Sequence, residues 1–136
     1  LHVSEIGPLF TEARRRGVDR LLVTHSSFLA DMSMTDMRDF AAMGAYVEQC
    51  ADTHTDCLGR HARPDEVRAF IAAASLSQSI LVPRLGRTGN ANAAVRMGAT
   101  ARCCLDLGYS PREVRQMLSD NPLRLLGLPT SQETLS

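Results

Sequence analysis

Ser79-Ile80-Leu81-Val82-Pro83-Arg84-Leu85-Gly86-Arg87-Thr88-Gly89-Asn90 is the stretch whose reading decides the fold. A short apolar run bounded by Pro83 reads as a buried strand over Ser79 to Val82, and the glycine-bearing turn after it feeds a helix from about Asn90 to Leu107, closed by Gly108. The same grammar recurs upstream. Leu21-Leu22-Val23 is a second apolar run, stopped by the polar cluster Thr24-His25-Ser26-Ser27, and a helix from Ser33 or Thr35 to Met43 follows and ends at Gly44. Ala45-Tyr46-Val47 then runs into Glu48, Gln49 and Cys50 as another strand. Pro64, Asp65 and Glu66 open a helix through Ala74 that turns Val67, Phe70 and Ile71 inward. A helix over Pro8 to Arg16, ended by Gly17, precedes the whole series. Short apolar strands alternating with helices call for parallel pairing and right-handed crossovers, so the class is α/β.

Downstream, Ser110-Pro111-Arg112-Glu113 is a capping box with Pro at the first helical position, and Val114, Met117 and Leu118 form its apolar stripe. Asn121-Pro122 reads as a second Pro-led start, with Leu123, Leu125 and Leu126 against the sheet and Gly127 ending the turn. The pattern therefore predicts about three parallel strand-helix units plus a C-terminal helical hairpin, in a single unit over residues 1–128 with a polar tail over 129–136. A complete eight-fold barrel takes about 250 residues. With 136 residues, the chain is either a small open sheet or the last part of a barrel.

Composition excludes several classes. Fifteen basic and fifteen acidic side chains cancel, which leaves no electrostatic footprint for nucleic acid. No apolar run approaches the ~18 residues of a membrane span, and Leu1 to Phe10 lacks the regions of a signal peptide, so a cytoplasmic location is expected. Every basic residue is Arg, which removes lysine chemistry. The chain opens on Leu1, and a fragment or processed product is one reading of that start.

Three groups of residues could carry chemistry. His25 falls at the C-terminal end of a parallel strand, where α/β sites gather, and an imidazole there can hold a metal or shuttle a proton. Glu48 ends the next strand on the same rim and could pair with it in acid-base work; a structural partner for an Arg is the plainer role. Cys50, His54, Cys57 and His61 put four zinc-type donors within twelve residues, but not at finger spacing; His54 alone could reach over the site as a substrate contact. Arg84 and Arg87 flank a turn whose backbone amides could approach an anion, or they are solvated side chains on a tight turn. Cys103-Cys104 and the methionines at 32, 34, 37 and 43 read as core.

Read in order, Leu22-Val23-Thr24-His25, Met43-Gly44-Ala45-Tyr46-Val47-Glu48, Ser79-Ile80-Leu81-Val82 with Leu85-Gly86, and Asp120-Asn121-Pro122-Leu123-Arg124-Leu125-Leu126-Gly127-Leu128 resemble the C-terminal part of the amidohydrolase superfamily of metal-dependent hydrolases. The resemblance spans about Val18 to Leu128. It implies a partial (β/α) barrel and water attack on an amide, ester or lactone, with a divalent metal, zinc or manganese, as cofactor. His25 would be its metal ligand and catalytic residue; the strand end adds Glu48 as a second catalytic group, and the loop and turn add His54, Arg84 and Arg87 as contacts to a small-molecule substrate. One position departs from the pattern. The family's last-strand Asp falls on Arg84, and a guanidinium neither ligates a cation nor serves as a base near neutral pH, so the resemblance implies a degenerate or incomplete hydrolase. A cut barrel also exposes edges, which points to a homo-oligomer or to the missing N-terminal part of the barrel as partner. The alternative is a non-catalytic anion-binding or assembly module.

Overall fold

Tyr46 to Cys50 forms the central strand, β2, because its alternating residues must satisfy two different surroundings. Val47 and Gln49 are buried, whereas Tyr46 and Glu48 are half-buried. The structure, a computed structural model, describes residues 2–24, 32–50, 63–83 and 92–130. In it, β2 pairs in parallel with β1 (Leu22–Val23) on one side and with β3 (Ser79–Val82) on the other, in the order β1-β2-β3. Among the described residues this is a mixed α/β architecture around a three-stranded parallel sheet that does not close into a barrel.

The helices in chain order are α1 (Val3–Arg15), α2 (Met34–Ala42), α3 (Pro64–Ala74), α4 (Ala93–Asp106), α5 (Pro111–Arg115) and α6 (Asn121–Leu126), with a π-helical turn over Gln116–Asp120 between the last two. Register fixes which residues share a face: Val23 pairs with Val47 and Val47 with Ser79, while Leu22 pairs with Tyr46 and Glu48 with Ile80. Val23 and Val47 pack with Phe10, Met37 and Phe40 of α1 and α2. Leu81 packs with Val67 and Ile71 of α3 and with Cys104, Val114 and Met117. The helices connecting the strands thus cover one face, and α2 lies directly against α3. Leu22, Tyr46, Glu48 and Ile80 belong to the opposite face.

Helix α3 serves two cores. Its Ala73 and Ala74 join the cluster built on α1 and α2, while Val67 and Ile71 belong to the cluster built on β3 and the C-terminal helices. All four methionines between positions 32 and 43 pack in the first cluster, as their helical spacing predicted.

The structure revises three local expectations. Helix α1 begins at Val3, not near Pro8: His2 and Glu5 form a reciprocal cap at its start, and Pro8 lies inside the helix, where it forgoes one backbone hydrogen bond. Strand β1 stops at Val23, before His25. The C-terminal segment is no hairpin at Asn121-Pro122. Backbone dihedrals stay helical through Gln116, Asp120 and Asn121, so the π-helical turn joins α5 to α6 without a break, and Pro122 sits in the first turn of α6 without a side-chain cap before it. The extra residue in the π turn rotates every later position of the helix. Asn121 becomes fully buried, Leu123 and Leu125 half-buried, and Leu126 63% exposed, so Leu126 is not the core residue its spacing implied. Of the polar tail, residues 131–136 lie outside the described residues and Thr130 is buried.

Candidate functional site

Parallel strands present their C-terminal ends along one edge, here at Val23, Cys50 and Val82. His25 and Arg84 follow β1 and β3 by two residues in sequence. Both lie outside the described residues, as do His54, Arg87, Cys57 and His61. Of the residues expected at the site, the structure therefore places Glu48. It stands two residues before the end of β2, half-buried, on the face turned away from the helices and in register with Ile80. Tyr46 precedes it on the same face.

A carboxylate on that face can accept a proton or orient a water. A divalent centre needs more. Among the described residues no three of His, Cys, Asp and Glu come together, and Glu48 is a single donor where zinc takes about four and harder cations more oxygens. Among the described residues there is therefore no assembled metal centre, and His25, the ligand the resemblance implies, lies outside them.

Several polar side chains are held where the hydrophobic pattern gave no reason to look. Gln49 is 2% exposed on the helix side of β2; its Nε2 donates to the Phe70 carbonyl at 2.9 Å, and its Oε1 has no hydrogen-bond partner. Asn121, fully buried, donates from Nδ2 to the carbonyls of Leu76 (2.8 Å) and Ser79 (2.7 Å), and Arg124 Nη1 donates to its Oδ1 at 3.3 Å. Asp120 is buried with Oδ1 lacking a hydrogen bond, 3.8 Å from Arg115 Nε. The sequence signal for Gln49 was a polar residue at the buried phase of an alternating strand. For Asn121 there was none, because the π turn sets its phase.

Asn121 lies at the strands' N-terminal end, away from the rim. Near that end a groove of about 520 Å³ opens between the C-terminal ends of α2 and α3, with Ala41, Ala73 and Ala74 along it and Arg38, Ser75 and Gln78 at its rim. Ser75 there holds φ 68° and ψ 158°, a conformation that favours glycine. Cys104 is fully buried, and burial, with a smaller contribution from neighbouring Cys103, pushes its thiol up to about 12, which makes it inert as a nucleophile.

No helix among the described residues is long and apolar enough to cross a membrane. No curated protein and no solved structure matches the chain. Residues 1–48, about a third of the chain, match a family described as "Family of unknown function (DUF6282)", a match that takes in α1, β1, α2 and the first part of β2 and ends on Glu48.

Proposed function

We propose that the chain forms the closing part of an amidohydrolase-like barrel and contributes Glu48 to water attack on a small amide, ester or lactone. The observation that carries this reading is the winding: β1-β2-β3 run parallel in strictly sequential order, with both connecting helices on one face. A doubly wound sheet reverses its strand order and places helices on both faces, whereas a barrel never reverses. Glu48 then lies on the face that would line the barrel, near the strand ends where barrel chemistry takes place. Its role is that of a proton acceptor for, or an anchor to, the attacking water. The remaining wall of the barrel would come from a partner or from additional chain, and Arg84 in place of an Asp implies weak turnover.

The test is hydrolysis of a panel of lactones, esters and amides by the purified chain with Zn²⁺ or Mn²⁺ added, beside Glu48→Gln. Turnover that falls by about 100-fold in Glu48→Gln is the expected result. Turnover indifferent to that substitution overturns the reading. Elemental analysis of the chain as purified is expected to find less than stoichiometric zinc or manganese; one zinc per chain, lost on His25→Ala, would instead make His25 the ligand of a resident metal.

A further inference from the structure

We draw no further inference here: the strongest candidate, the groove between the C-terminal ends of α2 and α3 with Arg38, Ser75 and Gln78 at its rim, opens over alanines where two helix C-termini disfavour the anion that Arg38 would recruit, and nothing in the structure shows what occupies it.

Discussion

Ser75 occupies a backbone region in which a Cβ is crowded, and nothing in its side chain requires it: its hydroxyl meets Ser77 Oγ at 3.0 Å on the surface, while the contact that matters, Ser79 Oγ donating to the Ser75 carbonyl at 2.7 Å, belongs to the backbone. Ser75→Gly should therefore relieve strain of about 1 kcal/mol and raise the melting midpoint by a few degrees, read in a thermal or denaturant titration. Cys104 makes the opposite kind of statement. Its thiol is raised to about 12 in the folded chain, so its contribution to stability is complete below the ordinary thiol value and is lost as pH rises toward 12. Melting temperatures should fall over that alkaline interval, and Cys104→Ala should flatten the fall. With iodoacetamide at pH 8, Cys104 should stay unlabelled until the chain unfolds, which mass spectrometry reads directly.

At the scale of elements, α2 and α5 begin alike. Ser33 and Ser110 each accept from the N–H three residues on, and Asp36 and Glu113 each accept back from the N–H and hydroxyl of that serine, which holds both carboxyls below their usual range. A depressed carboxyl stabilises the fold above its ordinary pKa and loses that contribution as pH falls through the folded value, so stability should decline below about pH 5. Ser33→Ala with Ser110→Ala should shallow the acid limb of a pH-melting curve. These starts were legible because the capping box is a local code: four residues state it, and the structure repeats it at Ser110 as read. Strand β3 and helix α3 were legible for the same reason, bounded by Pro83 and Pro64 in the chain itself. Asn121 was not, since its place depends on a π turn that alters helical phase and on a strand forty-two residues away in sequence. Leu126 follows from the same failure: with 63% of it exposed, Leu126→Ala should change stability by no more than about 0.5 kcal/mol, whereas Met117→Ala, from full burial, should cost about 2–5 kcal/mol. Equal losses in a urea titration would mean that Leu126 carries core packing after all.

For the whole molecule, α3 is the element both cores share, so loss of the second core should take the first with it, and calorimetry should find no transition in which the first outlasts the second. That Glu48 belongs to a strand of a parallel sheet was legible, because parallel winding is a global consequence of short strands alternating with helices; that β2 runs on two residues past it was not. How the rim is completed was not legible, because that depends on residues brought together across the fold and not on spacing along it. The sharing of α3 is also lopsided. Every side chain of the second cluster comes from residue 67 onward, whereas the first cluster draws on residues 3 to 47 and then borrows Phe70, Ala73 and Ala74. Expressed as two separate polypeptides, 1–50 and 63–136, the halves should behave unequally: the second should hold its own tertiary structure, the first should remain unfolded alone, and mixing them should fold the first on the surface α3 provides.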